Sequence, residues 1–308
     1  MTDLVTLSNG GYTLQISPVG AEIKSFRNRE GREIFWQNQL DEKGNKIWDR
    51  TAPNLFPMTG PSTIIEKGEK LKGFYRLEGR KYQMPQHGFI RDTKAEIVWA
   101  SENEVTFVIR SSDETKKLYP FDFNFFVEYR LNDAGRIRKI VSVENLNDIP
   151  MPFNIGDHEG FALDDHISKY FVRFDRIEKN DNKLITTQDG VSIINLSEEM
   201  FANDSVPFYG LQSKHVTLMK RRQDRIPKEI VTITLDSPVF LLWSRPPFGF
   251  ICPEPWHGKP LESKENENAQ FMNVIAPGEI YRLERSIKIH KGPESVQGND
   301  SNGRFAQR

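Results

Sequence analysis

Apolar residues in this chain return at every second position, not every third or fourth. Phe123, Phe125, Val127, Tyr129 and Leu131 alternate with polar neighbours, the pattern of a strand with one face in a core and the other in water. Turn signals punctuate such stretches at short intervals. Asn9-Gly10-Gly11 separates Leu4-Val5-Thr6-Leu7 from Tyr12-Thr13-Leu14-Gln15-Ile16, and these residues tolerate the positive φ that a hairpin turn needs. Further hairpins are predicted for residues 23–26 with 33–36, 74–77 with 81–84, and 96–99 with 105–109. The 123–131 stretch is expected to return through Asp133-Ala134-Gly135 onto Ile140-Val141-Ser142-Val143. The second half reads the same way, with strands near 170–174, 216–218, 230–235, 239–243 and 281–289. In the last of these, Tyr281, Leu283, Ile287 and Ile289 share a face. No convincing amphipathic helix appears, and Ser197-Glu198-Glu199-Met200-Phe201 amounts to a turn or two. Many short strands joined by regular turns predict an all-β fold, a large antiparallel β-sandwich.

A chain of 308 residues fits one large domain or two ordinary ones. No Pro-, Gly- or Ser-rich break divides it, so a single β-sandwich domain over 1–291 is expected. A polar tail, 292–308, has Val296 as its one branched aliphatic residue and is expected to be disordered. Forty-two basic and 43 acidic residues leave a net charge of −1, which gives no field for nucleic acid or an anionic membrane. One cysteine excludes an intrachain disulfide framework and suits a reducing, cytoplasmic setting. The start of the chain has no signal-peptide pattern, and no apolar run approaches the ~18 residues of a membrane span.

Four stretches carry residues suited to chemistry. Cys252-Pro253-Glu254-Pro255-Trp256-His257-Gly258 follows apolar strand-like runs. Proline fixes φ and offers no N–H, so Pro-Glu-Pro is read as a stiff corner at a strand end. There it holds either a half-desolvated acid beside Trp256 or a solvated turn glutamate. The loop from Arg50 to Gly60 is apolar and punctuated by Pro53 and Pro57. Gln86-His87-Gly88-Phe89-Ile90-Arg91-Asp92 sets a histidine and an arginine about a glycine. Gly156-Asp157-His158-Glu159-Gly160 brackets a second histidine with glycines. If that segment is extended, the two-residue period sends Asp157 and Glu159 away from the face of His158, as supporting or solvated groups. No Cys/His or His/Glu spacing fits a zinc site, and neither a nucleophile elbow nor a phosphate-cradling glycine loop occurs.

Taken in order, His87-Gly88-Phe89-Ile90-Arg91, Gly156-Asp157-His158 and Cys252-Pro253-Glu254-Pro255-Trp256-His257-Gly258 resemble the aldose 1-epimerase (galactose mutarotase)-like family. Pro53-Asn54-Leu55-Phe56-Pro57, and Phe201-Ala202-Asn203-Asp204 followed by Phe208, resemble its bacterial LacX-type branch. The likeness runs from about residue 5 to residue 289. It implies a β-supersandwich and an isomerase that interconverts the α and β anomers of a free hexose or related sugar, without metal or organic cofactor. By that resemblance Glu254 is the base that takes the anomeric hydroxyl proton, and His158 is the acid that protonates the ring oxygen. Both tasks suit groups whose proton affinity is tuned by partial burial. His87 would donate a hydrogen bond to the sugar. Arg91 would bind hydroxyls or pair with Asp92 or Asp157, Asp204 would contact the sugar, and Trp256 would be a pyranose platform or a core aromatic.

Two departures stand out. Pro61 occupies a position where relatives often carry arginine, and Glu159 one where they usually carry proline. The first leaves the sugar open, a sugar phosphate included, with Lys67, Lys70 and Lys72 as substitutes or as surface charges. A non-catalytic carbohydrate-binding sandwich is the rival from another class. A glycoside hydrolase would need a second carboxylate, for which Asp204 is the candidate. The oligomeric state is not written in the sequence.

Overall fold

The computed structural model describes residues 3–178, 185–188, 191–223, 225–264 and 267–290; the tail expected to be disordered lies outside them. The strand signals form two large antiparallel sheets. Ten strands make one, in the order Ile185–Gln188, Val191–Asn195, Tyr170–Phe174, His215–Arg222, Arg225–Thr234, Ile280–Ile289, Arg136–Asn145, Phe123–Leu131, Glu104–Arg110 and Glu96–Ala100. The other runs Val206–Tyr209, Val239–Trp243, Phe250–His257, Ile155–Asp157 and Asn54–Leu55, with Phe161–Ala162 also paired to Phe250–His257.

Alternation decides what each strand buries. Phe123, Phe125, Val127, Tyr129 and Leu131 are all buried, and their strand pairs in register with Arg136–Asn145 through the expected turn. The two inner faces meet in one core. Phe174 lies 5.9 Å from Phe240 edge-on, and Phe56 packs 5.2 Å from Phe123 and 5.1 Å from Phe125. The chain is thus an antiparallel β-sandwich, as the alternation predicts.

Three local expectations change. Residues 33–36 return through the turn at Gly31 as predicted but pair back onto Glu22–Arg27 by one antiparallel bridge only, Arg27 with Glu33, rather than as a strand. Glu33 also accepts hydrogen bonds on its carboxylate from the Phe26, Ile34 and Phe35 amides, and Glu22–Arg27 pairs with Tyr12–Ser17. A short helix forms at Asp113–Leu118, started by a capping box in which Ser112 and Thr115 bond each other's backbone amide. Leu261–Ser263 runs parallel to Ser62–Glu66.

The Pro-Glu-Pro stretch is not a strand-end corner. It lies inside Phe250–His257, with Leu241 opposite Glu254 and with Pro253 and Pro255 opposite Leu242 and Phe240. On its other edge the strand pairs at Phe250-Ile251 and again at Trp256-His257. Cys252–Pro255 therefore has no ladder partner there, so two missing N–H groups interrupt nothing. The same alternation turns Pro253 into the core, against Val172, Val216 and Ile233, and Glu254 to the opposite face.

Candidate active site

Glu254 opens onto a cavity of about 270 Å³, near the small end of ligand sites. All six residues singled out from the sequence line it: His87, Arg91, His158, Asp204, Glu254 and Trp256. They come from four separated segments, which only the sandwich brings together. Trp48, Trp243, Gln86, Ser205 and Pro61 complete much of the wall. Lys67, Lys70 and Lys72 are exposed and do not reach it.

At the floor, His158 Nε2 is 3.5 Å from Glu254 Oε1, both side chains being at least nine-tenths buried. Burial, followed by the negative charges of Glu159 and Asp204, pushes the Glu254 carboxyl well above its usual range. Burial, then the nearby Arg91 cation, lowers the His158 imidazole to about 3. Both shifts favour the neutral forms, which puts the pair's one exchangeable proton on Glu254.

His87 is fixed by its backbone. His87 and Gly88 both have positive φ, and a Cβ on Gly88 would sit 2.1 Å from the Phe56 carbonyl oxygen, so only glycine fits this approach. The loop is thereby pressed onto the Arg50-to-Gly60 loop, where the Gly60 amide donates to His87 Nδ1 at 3.0 Å. A backbone N–H can only donate, so the bare nitrogen is Nδ1 and the hydrogen is on Nε2; the Gln86 side-chain amide 3.3 Å from Nε2 must then turn its oxygen toward it, since an amide nitrogen cannot accept. Burial, then His158 and Arg91, drives this imidazole well below its ordinary pKa. It is a neutral ring with one N–H to offer.

The softer candidates divide. Arg91 lines the cavity, with Nε 3.7 Å from Asp92. Asp204, at φ 83°, accepts the Trp243 indole N–H on Oδ1 at 2.8 Å. Trp256 is 3% exposed and its indole donates to the Asp157 carbonyl, so most of its ring serves packing. The aromatic faces on the cavity side are Trp48 and Trp243, both only half-buried. Trp48 stacks on His158 with centroids 5.0 Å apart, and Trp243 meets that imidazole edge-on at 5.4 Å. Neither stood out in the sequence, because Trp48 lies in an irregular stretch and Trp243 ends an apolar run.

Asp157 and Glu159 do turn away from the face of His158, as the two-residue period requires, but they are buried rather than solvated. Lys139 Nζ bonds Asp157 Oδ1 at 2.6 Å and Glu159 Oε1 at 3.0 Å, and Arg285 Nε reaches Asp157 Oδ2 at 3.1 Å. Burial alone would raise Asp157, but Lys139 and Arg285 outweigh it and hold the carboxyl low. Glu159, with one cation, is raised by burial. Both cations occupy inward positions of alternating strands, Lys139 between Ile137 and Val141 and Arg285 between Leu283 and Ile287. That misfit of charge with phase is the signal that could have found them.

Cys252, on the same strand face as Glu254, places its sulfur with the donor atoms of His158 and Glu254, all within 4.8 Å of one another. Among the described residues these three could share an ion. Burial pushes the Cys252 thiol well up, which opposes the thiolate a metal would require.

The family model for aldose 1-epimerase matches residues 3–204. The chain belongs to the aldose 1-epimerase family. Within it, the chain is similar to the chromosomal and plasmid LacX proteins of Lactococcus lactis subsp. lactis, each 27% identical over 278 residues, covering 82% of this chain and 87% of the relative. Among solved structures it resembles a galactose mutarotase related enzyme from Lactobacillus acidophilus, at 27% identity and a TM-score of 0.75 over 94% of this chain and 98% of that one. A galactose mutarotase-like protein from Lactobacillus casei, 24% identical, shares the fold at a TM-score of 0.76 over 94% of this chain and 100% of that one. No helix among the described residues is long and apolar enough to cross a membrane.

Proposed function

We propose that this protein interconverts the α and β anomers of a free aldose. The observation that carries the reading is the His158–Glu254 pair, 3.5 Å apart at the floor of the cavity. Ring opening removes a proton from the anomeric hydroxyl and adds one to the ring oxygen. A pair holding a single proton does both: one member accepts while the other donates. Rotation about the C1–C2 bond and the reverse exchange close the ring on the other face and restore the pair. With Glu254 as base and His158 as acid, the shared proton first passes from carboxyl to imidazole when substrate enters. The His87 Nε2–H and the Arg91 guanidinium are donors for the oxygens on which charge develops.

Among the described residues the lining carries one cation, Arg91, and sets the Asp204 carboxylate against it, which favours an uncharged sugar over a sugar phosphate. Half-buried Trp48 and Trp243 offer flat apolar area to a pyranose face. Polarimetry or NMR exchange on freshly dissolved α-glucose and α-galactose tests the proposal. Glu254→Gln is expected to lower kcat by ~10²–10⁴-fold, the range for positioned proton transfer, while calorimetry still detects sugar binding. No acceleration over buffer by the wild-type protein on any of several aldoses would replace the enzyme with a carbohydrate-binding protein.

A further inference from the structure

Lys139 sits in the apolar phase of Arg136–Asn145 and is fully buried, directly across the ladder from Arg285. Two cations facing each other across a sheet repel, and a buried ammonium forfeits its hydration without necessarily adding stability. An aliphatic residue would continue the Ile137–Val141 face, and only the buried carboxylates at 157 and 159 call for a cation here. What the ammonium does hold is specific: the carboxylates of Asp157 and Glu159, the two neighbours of His158. Because side chains alternate, pinning 157 and 159 on one side aims 158 to the other. Asp157 is tethered twice more, through Oδ2 to Arg285 and through its carbonyl to the indole of Trp256, two residues beyond Glu254.

We propose that Lys139 is a positioning residue for the proton-transfer pair, holding His158 against Glu254 by binding the carboxylates on either side of it. Its effect on turnover rests on the epimerase reading, whereas its effect on the imidazole does not. Lys139 reaches no cavity-lining atom of its own; it acts through Asp157 and Glu159. A displacement of ~1 Å at the pair can cost ~10²-fold in rate, so the loss appears in kcat rather than in KM.

The test compares Lys139→Met, Lys139→Arg and Glu159→Gln with wild type, by steady-state kinetics across pH and by ¹H–¹⁵N NMR of the His158 ring. Lys139→Met is expected to lower kcat by about 10²-fold with KM little changed, and Lys139→Arg to recover part of that loss. Glu159→Gln removes one of the charges that raise Glu254, so the alkaline limb of kcat/KM moves to lower pH and the His158 ring signals shift. A folded Lys139→Met protein with wild-type kcat overturns the proposal. So does a Glu159→Gln protein whose pH profile and His158 signals are those of wild type, and that variant decides alone if Lys139→Met does not fold. If wild type shows no epimerase activity, the functional reading fails, and unmoved His158 signals in Glu159→Gln would separately sink the positioning role.

Discussion

Glu254 is a carboxyl group that this fold makes costly to ionise, and His158 is an imidazole costly to protonate. On the proposed mechanism activity requires one proton on the pair, so it is expected to fall at low pH only as His158, lowered to about 3, takes a second. It ends at high pH when Glu254 gives up its own, well above the 4.5 of an ordinary glutamate. The acid limb of kcat/KM is therefore expected near the lowered His158 pKa, well below the pH 6.5 at which a solvated histidine titrates; an acid limb at pH 6.5 contradicts the assignment. Stability follows the same shift. An unfolded chain ionises Glu254 above about 4.5, whereas the folded chain keeps it protonated, so its contribution is greatest below that value and is lost as pH rises through the raised folded pKa. Glu254→Gln removes this liability, each unit of difference being worth about 1.4 kcal/mol. The inactive variant should melt above wild type at pH 7, with the gap closing toward pH 4; thermal scans at the two pH values check this.

At the scale of elements, the segment carrying His158 depends on close approach. A Cβ on Gly160 would lie 2.4 Å from Trp48 Cζ3, so Gly160→Ala must displace the ring that stacks on His158. Overpacking of this kind costs typically 1–3 kcal/mol. The variant is expected to lose that much in denaturant melts and to lose kcat, with altered tryptophan fluorescence reporting the moved ring. Unchanged fluorescence and kcat would mean that Trp48 does not hold the imidazole. The glycines of this segment were visible in the sequence, but their reason was not, because Trp48 is more than a hundred residues away. The prolines about Glu254 misled for a related cause: Cys252–Pro255 spans a gap in the pairing of one strand edge, which only the neighbouring strands create.

For the whole molecule, core and site share the loop between Arg50 and Gly60. The Phe56 ring packs against Tyr119, Phe123, Phe125 and Phe153, while its carbonyl accepts the Phe89 and Ile90 amides that seat the His87 loop. Phe56→Ala is expected to destabilise the protein by about 3–5 kcal/mol. It should also lower activity well below the melting temperature, because the residue that loses its ring is the one whose carbonyl seats the His87 loop. Urea melts and initial rates on the same preparation measure both, and a destabilised variant with full activity would uncouple the core from the site.

Strand phase, turn positions and the residues facing the cavity were legible in the sequence because each rests on short-range chemistry: alternation of side chains, the φ preferences of glycine, and ordered short motifs. The Glu33 cap, the proline-bearing central strand, the tryptophans flanking His158 and the buried Lys139–Asp157–Glu159–Arg285 cluster were decided by tertiary structure. Each joins groups distant along the chain, and burial, not residue type, sets how strongly such groups attract, stack or hold a proton.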